Sequence, residues 1–83
     1  MTRQYHVKIA PQVARQIKLL PPKQVRLIIK LAEALAINPR PPGAKKVEGM
    51  TGLYSEAVNQ HRLIYKIEDQ DVVIVLLKNN HGT

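Results

Sequence analysis

The sequence contains no cysteine, which removes a disulfide framework, a thiol nucleophile and a thiolate metal site at once. It also has no Trp and no Phe, and its three Tyr give an aromatic content of only 4%. That is too little for the stacked aromatic platform on which single-stranded nucleic acids are often laid. His6, His61 and His81 stand far apart with no acids paired beside them, so the spacing of a metal site is missing and neither a metal nor a cofactor is expected. There is no Gly-rich phosphate loop and no defensible Ser-His-acid order. The opening "MTRQYHVKIA" lacks the apolar run of a signal peptide, and no segment approaches bilayer-spanning length. A cytoplasmic protein with no membrane partner is expected, and the lack of cysteine fits a reducing cytosol.

Acidic residues are scarce as well. Thirteen Lys and Arg stand against six Asp and Glu, a net charge of +7, and three of the six acids (Glu68, Asp69, Asp71) share one turn. The remaining surface is more basic than the total suggests, and such a field attracts polyanions: RNA, DNA, the ribosome or an acidic protein partner. At 83 residues with 45% hydrophobic content, the chain is expected to be one globular domain over 1–83 with a single small core.

Period-two alternation in "YHVKIA" sets Tyr5, Val7 and Ile9 against His6 and Lys8 and predicts a strand. Pro11 then opens a short amphipathic helix, with Val13, Ile17 and Leu20 at helical spacing. The pair Pro21-Pro22 ends it and starts a second helix over Pro22 to Ile37, whose apolar stripe runs Val25, Ile28, Ile29, Leu31, Ala32, Leu35, Ala36. Two helices across so short a break form a helical hairpin. After "NPRPPG", the segment "AKKVEGMTG" holds a short strand at best. The runs "LYSEAV", "HRLIYKI" and "VVIVLL" are separated by brief polar connections and predict an antiparallel meander of three or four strands. The last run is apolar throughout, as expected of a central strand buried on both faces, or nearly so. The fold class is α+β, with both helices on one face of the sheet and the other face open.

In "HRLIYKI" the set His61, Leu63, Tyr65, Ile67 is the better core face, so Arg62 and Lys66 project from the open side, where an Arg can fork onto a phosphate. Metal-free chemistry on RNA needs only a base, an acid and a cation for the charge developing on phosphorus, because RNA supplies its own 2′-OH nucleophile. His61, His81, Glu48, Arg62, Lys45, Lys46 and Lys78 have the right chemistry. His61 is equally readable as a rim histidine, Lys45-Lys46 as a solvated loop, and Glu48 as the partner of a neighbouring Lys. Glu56 falls on the face of Tyr54 and Val58, with a salt bridge to a helix cation as the expected explanation.

The order and spacing of these elements, together with "LPPKQVRLIIKLAEAL", "GMTGLYS" and "HRLIYKIED", resemble the RelE/ParE superfamily of toxins from type II toxin–antitoxin modules, closest to its YoeB/Txe or RelE branch. The resemblance covers nearly the whole chain. It implies a ribosome-dependent mRNA endonuclease that cuts by 2′-OH attack, inhibits translation and is silenced by a cognate antitoxin, reaching operator DNA only through the antitoxin complex. It aligns Arg62 with the family's phosphate-contacting arginine and His81 with a C-terminal His/Tyr position. With the reading of the residues themselves, Lys45, Lys46, Lys66 and Lys78 are the RNA-binding candidates, and Arg62, His81, Glu48 and His61 the catalytic ones. The pattern also departs from the family's. "YSEAV" puts Ser55 and Ala57 where relatives carry Arg or Lys, and "LLKNNHGT" has no terminal Tyr. The same superfamily includes ParE-like inhibitors of DNA gyrase, and a non-catalytic toxin that keeps only antitoxin binding fits the departures too.

Overall fold

In the computed structural model, which describes residues 4–79, the chain forms β1 (His6–Ile9), α1 (Pro11–Lys18), α2 (Pro22–Ile37), β2 (Lys45–Lys46), β3 (Leu53–Val58), β4 (His61–Glu68) and β5 (Asp71–Asn79). The five strands make one sheet in the order β1-β5-β4-β3-β2. From β2 to β5 the chain meanders antiparallel. β1 joins parallel to β5, placing His6 beside Asp71 and Ile9 beside Ile74. The sheet is therefore mixed, five-stranded with β2 only two residues long.

Both helices begin on a proline in the first turn, where the missing N–H leaves no hydrogen bond unmade. They cover one face of the sheet, burying Val13, Ile28 and Leu35 against Val58, Leu63, Tyr65, Val72, Ile74 and Leu77. The α2 stripe is narrower than its sequence pattern. Ile29 remains 50% exposed, because only β1 and α1 flank that side of the helix and a groove stays open between them. This groove, about 690 Å³, is walled by Val7, Ile9, Ile17, Ile28 and Ile29.

The two tight hairpins, β3–β4 and β4–β5, turn on Asn59-Gln60 and Asp69-Gln70, with left-handed φ at Asn59 and Asp69. Asn and Asp tolerate that conformation better than other side chains. β5 lies inside the sheet between β1 and β4, as expected of a central strand. The expected burial on both faces, or nearly so, holds on the helix side and only in part on the other. Val72, Ile74 and Leu77 are buried, whereas Val73 and Val75 are half-buried and Leu76 is exposed. Among the described residues no third layer covers the far face. A β-bulge explains why the buried set passes from even to odd numbers: Tyr65 pairs with Ile74 and Ile64 with Leu76, which leaves Val75 as the extra residue.

Beyond the short β1, the edge of β5 is capped by α1. Gln12 and Gln16, one helical turn apart, donate their Nε2 groups to the carbonyls of Val75 and Leu77 at 3.3 and 3.4 Å. Side-chain amides thus stand in for a missing neighbouring strand.

Candidate functional site

Directly paired residues of an antiparallel ladder share a face, so the register decides what the uncovered side of the sheet presents. The row nearest the β3–β4 hairpin is Ala57, Arg62, Lys78. The next is Lys45, Ser55, Ile64, Leu76. The third holds Leu53, Lys66 and Val73, with Lys8 of β1 alongside. Arg62, Lys45, Lys66 and Lys78 are brought to this one face. Lys46 pairs with Tyr54, and His61 with Val58, on the helix-covered side. Glu48 stands in the loop 47–52 and lines a separate cleft with Lys46, Met50 and Tyr54. His81 lies outside the described residues. Among those described, no group of three His, Asp or Glu comes together to hold a metal ion.

Arg62 is held in place. Its Nε donates to Ser55 Oγ at 2.7 Å, across the diagonal between two rows. Ser55 is 7% exposed, so the contact is shielded from competing water. With Nε engaged, the two Nη groups form the free end of the fork, and among the described residues they have no hydrogen-bond or ion-pair partner. Ser55 was legible in the sequence only as a basic residue that is not there. The signal that identifies it is the two-residue turn Asn59-Gln60, which fixes Ala57 opposite Arg62 and hence Ser55 on the diagonal.

The charge on this face is graded along the strands. At the acidic-turn end, Lys8 and Lys66 are neutralised by Asp71 (3.1 Å) and Glu68 (3.4 Å), and His6 stands 3.6 Å from Asp71. At the Arg62 end, Arg62, Lys78 and Lys45 have no acidic partner among the described residues. An anion is therefore drawn toward Arg62.

The opposite face of β3 and β4 holds a structural cluster that the sequence reading did not foresee. Tyr54 and Tyr65 stack with ring centres 5.8 Å apart. The Tyr65 hydroxyl donates to the Pro39 carbonyl at 2.8 Å, and Arg40 lies over the Tyr54 ring while its Nε donates to the Tyr54 hydroxyl at 3.2 Å. Burial, aided by the nearby Glu56 charge, pushes the Tyr65 phenol up to about 12, so it remains a donor at any physiological pH. These contacts pin the loop that carries Lys45 toward the open face.

Glu56 has no ion pair among the described residues, so the expected salt bridge to a helix cation is not formed. Its Oε2 is buried without a partner, and a Cβ at Gly43 would come 2.7 Å from its Oε1. Burial raises its pKa above the ordinary carboxylate value, and the charge of Arg62 only partly offsets this. The folded state thus holds a proton that the unfolded chain has already released. The favourable contribution is complete below the unfolded pKa of about 4.3 and is lost as pH rises through the folded value. At neutral pH the carboxylate is a cost. Glu56→Gln is expected to raise Tm by about 4 °C at pH 7, the effect of roughly 1 kcal/mol in a domain of this size. The gain should vanish near pH 4. Thermal melts of both proteins at the two pH values check it, and equal Tm at pH 7 would show the carboxylate to be solvated.

The family model for the ParE toxin of type II toxin–antitoxin systems matches residues 7–81. No curated protein matches the chain by sequence. Among solved structures, the fold is similar to a chain of the archaeal RelE–RelB complex from Pyrococcus horikoshii, with 29% identity and a TM-score of 0.86 over 100% of both chains. It is similar to a chain of the RelBE2 toxin–antitoxin complex of Mycobacterium tuberculosis, with 25% identity and a TM-score of 0.79 over 92% of this chain and 98% of that one. A chain of the YoeB–YefM complex of Staphylococcus aureus shows 26% identity and a TM-score of 0.75 over 94% and 99%.

Proposed function

Since the chain belongs to the family of ParE toxins of type II toxin–antitoxin systems, we propose that it is the toxin of such a module and acts as a ribosome-dependent mRNA endonuclease silenced by a cognate antitoxin. The observation that carries the reading is the Arg62 fork, oriented by Ser55 at 2.7 Å on an open, basic sheet face. A planar guanidinium with two free Nη groups suits the equatorial oxygens of a pentavalent phosphate. As the 2′-OH of the RNA attacks the adjacent phosphorus, charge develops on those oxygens, and a fixed cation lowers the barrier without reorganising. Lys45 and Lys78 position the RNA backbone around that point, and Lys66, paired with Glu68 farther along the same face, is a more distant backbone contact. A proton carrier is still required. His81 is the candidate from sequence, because His61 faces the helices and Glu48 stands in a different cleft.

The antitoxin is proposed to lay an apolar segment in the groove between β1 and the helical hairpin, where Ile9 and Ile29 stay exposed, and to cover the basic face with acidic residues. The solved relatives from P. horikoshii and S. aureus are complexes of RelE with RelB and of YoeB with YefM, which supports the partnership.

Purified protein added to ribosomes programmed with a short mRNA is expected to cut the codon in the decoding site and to leave free mRNA intact. Uncut mRNA on programmed ribosomes, in an assay where a RelE toxin cuts, rejects the reading. A second reading, a DNA gyrase inhibitor that makes no cut, is favoured by the ParE family model itself. A drop in gyrase supercoiling at stoichiometric protein supports it, and unaffected supercoiling removes it.

A further inference from the structure

On the same open face, directly beside the Arg62 row, the sheet presents an apolar cleft of about 370 Å³ that phosphate binding does not use. Ile64 and Leu76 form its floor as a cross-strand pair, Leu53 and the loop residue Met50 form one wall, and Lys78 and Gln12 stand at the rim. The bulge at Val75 builds it. By advancing the β5 register one residue, the bulge turns Leu76 onto the open face opposite Ile64. Leu76 is 38% and Met50 57% exposed, an arrangement that costs the free protein solvation without adding to its core.

We infer that this cleft receives one unstacked nucleobase of the RNA whose phosphate Arg62 holds, and that it sets which codons are cut. The inference deepens the endonuclease reading and rests on it. Three observations choose a base over other occupants. The cleft is at the small end of ligand sites, too small for an amphipathic helix. Its rim is cationic, since Lys78 both lines the cleft and pairs with Arg62 across the ladder, so the occupant carries an anion next to an apolar body. The Arg62 and Ile64 rows are two residues apart on one strand, about 7 Å, which suits a phosphate and its own base. Sequence-specific recognition of RNA works on bases splayed from the stack and laid against flat side chains. In a chain with three Tyr, no Trp and no Phe, and with none of them lining this cleft, Met and branched aliphatic side chains take that part. The Gln12 amide at the rim offers polar groups to the base edge.

The test measures single-turnover cleavage on programmed ribosomes over a full set of decoding-site codons, for wild type, Leu76→Ser, Met50→Ser and Arg62→Ala. Met50 lies exposed on a loop, so its variant keeps the fold if Leu76→Ser does not, and melting curves verify both. Loss of the base contact is expected to compress the ratio between best and worst codons about tenfold in the Leu76 and Met50 variants. Arg62→Ala should slow every codon by a similar factor. Codon profiles of both cleft variants that superimpose on wild type overturn the inference and leave the endonuclease reading standing. So does a loss confined to antitoxin affinity, which assigns the cleft to the protein partner. No cleavage of any codon by wild type overturns the endonuclease reading itself, and the inference with it.

Discussion

Arg62→Ala is expected to slow mRNA cleavage on programmed ribosomes by about 10² to 10³-fold, the usual loss when one preorganised donor to a developing oxyanion is removed. Arg62→Lys should recover little of it. A Lys ammonium keeps the charge but cannot donate to Ser55 while presenting two parallel N–H groups to a phosphate. Ser55→Ala separates orientation from charge. The guanidinium remains, but its 2.7 Å tether is gone, and the free rotamers dilute the productive one. About a tenfold drop in the rate at saturating ribosome is expected, roughly the worth of one hydrogen bond to a charged group. The apparent ribosome affinity should be unchanged and Tm should fall by only a few degrees, as the shielded Arg62 Nε loses its acceptor, and Ser55→Thr, which restores the hydroxyl, should rescue the rate. A merely structural Ser55 would shift Tm and leave the rate alone. Full activity in Arg62→Ala would remove the residue from the chemistry, and with it the main support for endonuclease over gyrase inhibitor.

The second large effect concerns stability. Tyr65→Ala is expected to cost about 3–5 kcal/mol in urea unfolding, the usual range for deleting a buried aromatic side chain. A domain this small has roughly 5–10 kcal/mol in total, so the variant should lose a third or more of its stability and melt well below the wild type. Tyr65 is fully buried, it stacks on Tyr54, and its hydroxyl bonds the Pro39 carbonyl at 2.8 Å. Tyr65→Phe isolates the last contact. It should cost about 1–2 kcal/mol, because the Pro39 carbonyl loses its partner in a buried setting. A Phe variant as stable as wild type would show that the loop after α2 is held by Arg40 and Tyr54 instead.

Much of this protein can be read directly from local pattern. Alternation in "HRLIYKI" separates His61 from Arg62 correctly, and the structure has His61 beside Val58 under the helices and Arg62 on the open face. Pro11 and Pro22 mark both helix starts, since proline is tolerated in a first turn and little elsewhere in a helix. Lys45 and Lys46 were indistinguishable in the sequence because adjacent strand residues differ only in face. Pairing with Ser55 sends Lys45 to the open side and pairing with Tyr54 sends Lys46 to the other. The apolar run "VVIVLL" was ambiguous because hydrophobicity at every position has two causes, burial on both faces or a functional apolar surface on one. Only the presence or absence of a second covering layer tells them apart.

By itself, then, the sequence determined the elements, their order, the basic character and the face of Arg62, because period and turn length are local properties of the chain. Tertiary structure alone decided three further things: the parallel seat of β1 against β5, the Val75 bulge that turns Leu76 outward, and the Ser55 tether that makes Arg62 a fixed fork. Each depends on which strands become neighbours and in what register. That is settled by the packing of the whole core, and no short window of residues contains it.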